Sequence, residues 1–267
     1  MEQSSRLLRA WRLLRLGLHI ARGVLTAASV LPWAGPALRL RLIREWSRTL
    51  LSLLGVSARI RGKALDADSA KVMVVANHVS WLDIYLLNSV RPLRFVSKSE
   101  VRSWPVVGWL AEKTGTLFLE RAKRRDAARI NDVVSAALSH GDCVAFFPEG
   151  TTSDGTHLRP FLAPLLQPAI DAGATLQPVA LRYHLPDGSI DPAPAYFGDM
   201  SLGESLARVL ARRRILAEIT FLEPIACAGQ NRRELAKQAE AAISSALNLA
   251  APRTTPETAG DPPAATR

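Results

Sequence analysis

The sequence predicts an α/β fold in which a mixed sheet is flanked by helices and preceded by an amphipathic pair of helices. Short apolar runs, such as residues 72–76 and 143–147, alternate with helix-like stretches from Val56 onward, which is typical of a sheet covered on both faces. Before Val56, leucines and tryptophans recur every three or four residues among arginines, the pattern of amphipathic helices. With 267 residues, 48% of them apolar, the chain can bury one large core and still carry an appendage.

The charge is divided unevenly along the chain. Residues 1–63 hold 12 of the 34 Arg and Lys residues but only 2 of the 24 acidic ones, so this stretch carries the whole net charge of +10. The remaining residues are neutral as a group. A neutral domain with a basic N-terminal segment indicates an anionic surface as a partner.

The basic segment predicts two helices that associate with a membrane surface. Residues 4–31 place arginines on several faces of a helix and one apolar stripe on another, made of Leu7, Trp11, Leu14, Leu18, Ala21 and Leu25. A turn at residues 32–36 leads into a second helix, on which one face carries Leu38, Leu42, Trp46 and Leu53. Tryptophans and leucines opposite arginines are typical of binding to anionic phospholipid.

A complete membrane span is not predicted, because the arginine-free run of residues 23–37 is short and contains two prolines. We therefore expect a hairpin over residues 1–55 that lies in the interface or inserts halfway. The alternative is a hairpin packed on its own domain with solvated arginines. Nucleic acid is the other anionic partner to consider, but the apolar faces favour lipid, and no nucleic-acid partner is expected.

After residue 55 the predicted elements follow from the length of each run and the residues that bound it. Short runs rich in Val, Ile and Phe predict strands at residues 58–63, 71–76, 93–97, 116–119, 143–147, 175–183 and 215–222. Helical spacing predicts helices at residues 83–90, 103–113, 125–139, 162–171 and 232–249. These elements make one domain over residues 56–250, and the Pro-, Thr- and Ala-rich residues 251–267 predict a disordered tail.

A histidine stands at the end of the second predicted strand. His78 lies on a strand-to-helix turn, where open α/β sheets present side chains to ligands, and Ser80 is a plausible N-cap of the next helix. Asp83, in the first turn of that helix, can reach back to the imidazole. A carboxylate on one ring nitrogen fixes the tautomer and leaves the other nitrogen able to accept a proton. On these residues alone, a structural histidine beside a dipole-stabilising aspartate is the alternative.

Two further blocks follow in order. Residues 115–121 read Gly-Thr-Leu-Phe-Leu-Glu-Arg, and residues 147–151 read Phe-Pro-Glu-Gly-Thr. Together with Asn-His-x4-Asp at residues 77–83, this ordered set resembles the glycerolipid acyltransferases, in particular the 1-acylglycerol-3-phosphate acyltransferases. Residues 177–180, Gln-Pro-Val-Ala, resemble a weaker fourth block of this family. With this block, the resemblance covers residues 55–225.

The resemblance implies that an acyl group moves from a thioester to the free hydroxyl of a lysolipid, with 1-acyl-sn-glycerol-3-phosphate as the expected acceptor and phosphatidate as the product. His78 would be the general base and Asp83 the residue that orients it, so no protein nucleophile is needed. A serine hydrolase acting through Ser80 is a competing interpretation, but the chain has no Gly-x-Ser-x-Gly motif. A non-enzymatic lipid-surface adaptor is the alternative from another class.

A phosphate headgroup would need donors, and the blocks supply them. Arg121 can bind two phosphate oxygens through its planar guanidinium, and Gly150 and Thr151 can add backbone and hydroxyl donors. Lys98 follows the strand predicted at residues 93–97 and can reach the same phosphate. The resemblance alone places the remaining block residues in the substrate-binding site: Asn77, Gly115, Phe118 and Glu149. For Glu149 two roles stay open, holding the acceptor or orienting the loop.

One residue departs from the family pattern. Relatives that act on lysophosphatidate usually have arginine after Glu-Gly-Thr, whereas this chain has Thr152. This departure keeps open an acceptor with another headgroup, such as a lyso-ornithine lipid. Arg159 is the nearest cation that can substitute. For the acyl chain, the sequence offers an apolar set made of Trp81, Trp104, Val106, Val107 and Trp109.

No bound cofactor or metal is expected. The five histidines are scattered, and Cys143 and Cys227 lie in strand-like runs, as reduced core residues do. The acyl donor is acyl-CoA or acyl-carrier protein as a co-substrate, and no motif chooses between them. Because both donors are cytoplasmic, the domain is expected on the cytoplasmic face of a membrane, the inner membrane in a bacterium. The sequence leaves the oligomeric state open.

Overall fold

The computed structural model describes residues 3–66, 68–119 and 124–249. Within them, the α-helices are α1 (Arg6–Ser29), α2 (Pro36–Leu53), α3 (Leu82–Val90), α4 (Val107–Lys113), α5 (Arg124–Ser139), α6 (Gln167–Asp171), α7 (Leu202–Ala211) and α8 (Arg232–Leu247). The strands are β1 (Val56–Arg61), β2 (Val72–Ala76), β3 (Arg94–Lys98), β4 (Leu117–Leu119), β5 (Cys143–Phe146), β6 (Thr175–His184), β7 (Ile215–Phe221) and β8 (Ile225–Ala226). The predicted tail, residues 251–267, and Arg121 lie outside the described residues.

Most predicted elements are confirmed, and four differ. The helices predicted at residues 103–113 and 162–171 are each shorter and follow a 3-10 turn, at Ser99–Ser103 and Ala163–Leu166. Helix α7 and strand β8 were not predicted. The sequence signal for α7 is a capping box, since the Ser201 hydroxyl accepts a hydrogen bond from the backbone N–H of Glu204 at 3.1 Å.

The strands form one mixed sheet, as predicted. Its order is β1-β7-β6-β2-β5-β3-β4, with β8 paired to the start of β6. The pairs from β6 through β2, β5 and β3 to β4 are parallel, whereas β7 runs antiparallel to β6 and β1 is parallel to β7. The carboxyl ends of β2, β3, β4, β5 and β6 therefore meet at one edge of the sheet, where open α/β folds place their ligands.

Strand β2 is buried on both faces, which explains its uninterrupted apolar sequence. Val74 and Ala76 pack in a core cluster that includes residues of α2 and α3. Met73 and Val75 pack on the opposite face, in a cluster with residues of α5, α6 and α8. The sheet thus has a hydrophobic core on each side, and the end of β2 is held rigidly.

Helix α2 packs on the domain more closely than its predicted membrane face implies. Leu50 and Leu51 are buried in the same core cluster as α3 and β2. Trp46 stacks on the ring of His19 at a centroid distance of 4.7 Å and lies 5.6 Å from the ring of Tyr85. The prediction that Trp46 and Leu53 lie on a membrane face is therefore wrong, because these side chains pack against the protein, Leu53 being buried.

Helix α1 presents its predicted apolar stripe to solvent. Its buried positions lie on the opposite face, at Leu16, His19, Gly23 and Ala27. Five large apolar residues of the stripe are between 56% and 84% exposed: Leu7, Trp11, Leu14, Leu18 and Leu25. No helix in the described ranges is both long enough and apolar enough to cross a bilayer.

Candidate active site

The site begins where β2 ends at Ala76. The side chain of the next residue, Asn77, is buried and bridges β2 to β6. Its Nδ2 donates to the Leu181 carbonyl at 2.9 Å, and its Oδ1 accepts from the Leu181 N–H at 2.8 Å. These two bonds fix the backbone just before His78. The predicted contact of Asn77 with substrate stays a prediction.

His78 and Asp83 are in direct contact. The distance from His78 Nδ1 to Asp83 Oδ2 is 2.8 Å. The same Oδ2 accepts the backbone N–H groups of Val79 at 2.8 Å and Ser80 at 2.9 Å. Asp83 is fully buried, so these bonds compensate the loss of water around its charge. The turn between β2 and α3 therefore wraps around one carboxylate.

Ser80 makes a capping contact of the predicted kind, although helix α3 begins at Leu82. Its hydroxyl accepts the N–H of Leu82 at 3.3 Å, and the Asp83 carboxylate accepts the N–H of Ser80 in return. Ser80 is also fully buried. A buried hydroxyl out of reach of substrate gives no support to the serine-hydrolase interpretation.

Tyr183 is a site residue that the sequence did not predict. It lies near the end of β6, and its hydroxyl donates to Asp83 Oδ1 at 2.6 Å. Burial raises the pKa of the Tyr183 phenol well above its ordinary value, the charge of Asp83 adds to this, and hydrogen bonding with Ser80 opposes it. The phenol is therefore a stable donor to the carboxylate. Because Asp83 lies 100 residues away in sequence, no local pattern signals this contact.

The His78 imidazole is held in place but remains partly exposed. The His78 ring stacks on Phe147 at a centroid distance of 3.8 Å and an angle of 6°. The His78 side chain is 17% exposed, and within the described part of the chain its Nε2 atom has no hydrogen-bond partner. The ring is thus held by Asp83 and Phe147 while one nitrogen can meet a substrate.

Glu149 points inward and joins two backbone segments. Its Oε1 accepts the N–H of His78 at 2.7 Å, and its Oε2 accepts the N–H of Arg159 at 2.9 Å. Burial raises the pKa of the Glu149 carboxyl to about 7; the charge of Asp83 adds to the rise, while the two backbone bonds and Arg159 oppose it. This geometry favours the predicted loop-orienting role of Glu149 over direct contact with an acceptor.

The loop after β5 returns to His78. Gly150 has a φ of 73°, which favours glycine, and its N–H donates to the Phe147 carbonyl at 3.0 Å. The Ser153 N–H then donates to the His78 carbonyl at 2.8 Å. Gly150 is half-buried and Thr151 is exposed, so this loop offers donors to solvent at the same edge as His78.

The remaining block residues lie two and three strands away from β2. Lys98 is the last residue of β3, and β3 pairs with β4 so that Ser97 lies beside Phe118. Phe118 is half-buried, with the Arg102 guanidinium 5.9 Å from its ring. Gly115 has a φ of 91°, and its carbonyl accepts from Arg94 Nε at 3.2 Å. Lys98 therefore lies at the edge that carries His78, whereas Gly115 precedes β4 and lies beside Arg94 at the start of β3, so the structure does not bring Gly115 together with His78. The position of Arg121 is outside the described residues.

The apolar residues predicted for the acyl chain do not form one cluster. Trp81 packs in the domain, where its Nε1 donates to the Ser205 hydroxyl at 3.0 Å. Trp104, Val106 and Val107 are instead exposed in the segment that follows β3. Val106 has a φ of 63°, and the Val107 N–H donates to the Pro105 carbonyl at 2.6 Å, which closes a strained γ-turn.

This arrangement defines a class of site. A partly exposed imidazole backed by a buried carboxylate, at the carboxyl edge of a parallel sheet, can take a proton from a hydroxyl group. Among the residues that the structure describes, no three His, Cys, Asp or Glu side chains are grouped to hold a metal. This geometry suits the activation of a substrate hydroxyl by a histidine.

Comparison with known proteins identifies the family. The family model described as Acyltransferase matches residues 57–182. The lyso-ornithine lipid O-acyltransferase of Pseudomonas aeruginosa is 43% identical over 93% of this chain and 96% of its own length. The chain therefore belongs to the acyltransferase family and is an acyltransferase.

Two other relatives extend this result. The 1-acyl-sn-glycerol-3-phosphate acyltransferase of Neisseria meningitidis is 40% identical over 70% of this chain and 72% of its own length. The crystal structure of the 1-acyl-sn-glycerophosphate acyltransferase of Thermotoga maritima matches with a TM-score of 0.62 and 22% identity, over 90% of this chain and 96% of that one. The latter similarity shows that the two proteins share the fold.

Proposed function

We propose that the protein transfers a fatty acyl group to the free hydroxyl of a lysolipid, with His78 as the general base. The observation that carries this proposal is the 2.8 Å contact between His78 Nδ1 and the buried Asp83 Oδ2, which leaves Nε2 as the basic atom. Asp83 holds the ring in the correct tautomer and stabilises the imidazolium when it forms.

In the proposed reaction, Nε2 of His78 takes the hydroxyl proton as the substrate oxygen attacks the carbonyl carbon of the thioester. The new C–O bond gives a tetrahedral intermediate, which collapses as the C–S bond breaks. The leaving thiolate, from acyl-CoA or acyl-carrier protein, takes the proton back from the imidazolium. The products are the acylated lipid and a free thiol, and His78 returns to its starting state.

For the acceptor, the extent of similarity favours a lyso-ornithine lipid. Two relatives with that name match nearly the whole chain, namely 93% for the Pseudomonas protein and 89% for one from Brucella abortus. Thr152 agrees with this choice, because lysophosphatidate relatives usually supply a phosphate-binding arginine there. Lysophosphatidate is the second candidate, favoured by the 40% identity to the Neisseria meningitidis protein over 70% of this chain.

In either case, the acceptor headgroup would lie at the edge of the sheet next to His78. The N–H of Gly150 closes its own turn, whereas the Thr151 hydroxyl is exposed. The cations proposed for the headgroup are Lys98, Arg121 and Arg159. Glu149 would hold the loop in place from beneath rather than touch the headgroup.

The exposed stripe of α1 supports association with a membrane. Arg12 donates to the Arg212 and Arg213 carbonyls at 2.8 and 2.7 Å, which fixes α1 to the domain and turns the stripe outward. Arg15 and Arg22 are exposed on the same helix. Cations near an anionic leaflet are worth about 1 kcal/mol each, reduced by salt, while buried apolar area adds about 25 cal/mol per Å². High salt should therefore weaken vesicle binding without abolishing it.

The acyl-transfer proposal is tested with purified protein on vesicles containing lyso-ornithine lipid, lysophosphatidate or lysophosphatidylcholine, each with acyl-CoA and with acyl-carrier protein. His78→Ala should lower the rate by about 10² to 10⁴, the usual contribution of a general base. The matched control is His140→Ala, an exposed histidine at the end of α5. Unchanged turnover by folded His78→Ala would refute the mechanism.

The membrane surface is tested with Leu14→Glu/Leu18→Glu, which changes only exposed positions of α1. Deletion of α1 and α2 is a poorer test, because it removes Leu50 and Leu51 from the core. The double variant should fail to sediment with anionic vesicles, whereas Val133→Glu, at an exposed apolar position of α5, should bind as the wild type does. Normal sedimentation of the double variant would exclude the stripe as the anchor.

A further inference from the structure

The two oxygens of the Asp83 carboxylate have different hydrogen-bond partners. Oδ2 lies 2.8 Å from His78 Nδ1 and accepts two backbone N–H groups as well. Oδ1 accepts the Tyr183 hydroxyl at 2.6 Å. Both Asp83 and Tyr183 are almost completely buried, so water cannot replace this donor. A buried charged acceptor that loses its partner bears the full desolvation cost.

Tyr183 is also anchored by the pairing of its own strand. It lies in β6, which pairs with β7, and Tyr183 is in register with Ala217. The neighbouring Leu181 is locked to Asn77 at the start of the β2–α3 turn. The phenol therefore approaches Asp83 from a rigid strand that is itself bonded to the start of the turn.

We infer that Tyr183 is a positioning residue for the acyl transfer, forming a buried Tyr183–Asp83–His78 chain in which its hydroxyl holds the carboxylate plane that orients the imidazole. The inference rests on the proposed role of His78 as the base. No proton needs to leave Tyr183 during the reaction, because the residue acts only as a fixed donor. Removing the donor frees the carboxylate to rotate and makes the His78–Asp83 pair bind its proton more tightly.

The experiment compares Tyr183→Phe with the wild type in the full-length protein on vesicles with acceptor and donor. A hydrogen bond to a charged group is worth enough that its loss should lower kcat by about 10- to 100-fold, with little change in either KM. The acidic limb of the pH–rate profile should move to higher pH, because the base must lose a proton that it now holds more tightly. Glu149 also lies next to the His78–Asp83 pair, but it is the same in both proteins. A shift of the acidic limb therefore reports the loss of the Tyr183 hydroxyl.

The matched control is Tyr85→Phe, which removes the phenol hydroxyl of a half-buried tyrosine in the ring cluster with Trp46 and Trp81. It should leave kcat and the acidic limb as in the wild type. A normal kcat in Tyr183→Phe, or a lower kcat with the acidic limb unmoved, would overturn the inference.

If Tyr183→Phe does not fold, 3-fluorotyrosine placed at position 183 keeps the size and strengthens the donor, and the acidic limb should then move to lower pH. An unmoved limb overturns the inference in that protein too. Activity that survives in His78→Ala would instead refute the proposed base, so the two failures are distinguishable.

Discussion

The buried Glu149 carboxyl predicts a measurable link between pH and stability. Its pKa rises from an ordinary 4.5 to about 7 in the folded protein, chiefly because of burial. Ionising it costs about 3 kcal/mol more in the folded protein than in the unfolded chain. A group with a raised pKa stabilises the fold below its unfolded pKa and loses that contribution as the pH rises through its folded value. The window is therefore from about pH 4.5 to about pH 7.

The change that tests this is Glu149→Gln. The amide cannot ionise, so the pH-dependent loss disappears. It also places an NH2 group against one of the two backbone donors, from His78 or Arg159, which costs about 1–3 kcal/mol. The variant should be less stable than the wild type near pH 5. The difference in the free energy of unfolding between the two proteins should shrink by about 2–3 kcal/mol from pH 5 to pH 8, since only the wild type loses stability from this carboxyl group over that range.

Urea denaturation followed by circular dichroism at several pH values measures this difference directly. Exposed Glu223→Gln is the control, because it removes a carboxylate outside the site, and its difference from the wild type should not show this trend. A difference between Glu149→Gln and the wild type that stays constant from pH 5 to pH 8 would refute the reasoning that burial dominates at Glu149.

Three further predictions address the chemistry, the headgroup and the fold. Asp83→Asn should lower kcat on the order of 10² or more, because the imidazole loses its orienting carboxylate; a rate close to that of the wild type in folded protein would contradict this. Arg121→Lys should raise the acceptor KM more than the donor KM, because lysine keeps the charge but loses the bidentate geometry, and equal effects in the steady-state assay would remove Arg121 from the headgroup site. Val106→Gly should stabilise the protein by about 1 kcal/mol, because glycine tolerates the φ of 63° and the relief of strain exceeds its entropy cost. Val107→Gly in α4 is the control and should destabilise it in the same thermal melt.

Several features of this protein follow from the sequence because they are local. The parallel strands appear as unbroken apolar runs, since β2 and β5 are buried on both faces. The turn between β2 and α3 places a carboxylate five residues after a histidine, and such a short segment has few ways to fold. The predicted contact between His78 and Asp83 is therefore present in the structure. The apolar stripe of α1 was also predictable, because helical periodicity alone defines it.

Periodicity shows that a helix has an apolar face but not what that face meets. The stripes of α1 and α2 look alike in sequence, yet the stripe of α1 faces solvent whereas Trp46 of α2 packs against His19 and Tyr85. Only the docking of α2 against α3 and the core cluster decides this difference.

Contacts between residues on strands far apart in the sequence could not be predicted either. Tyr183 reaches Asp83 because β6 pairs with β2 in one register, and a shift of one residue would point the phenol to the other side of the sheet. Glu149 was predicted at the site, but the sequence could not show that its two oxygens bind backbone N–H groups of separate segments. The sequence thus determined which residues are the candidates for the chemistry, whereas strand register and burial decided how they are held, because these depend on the packing of the whole sheet.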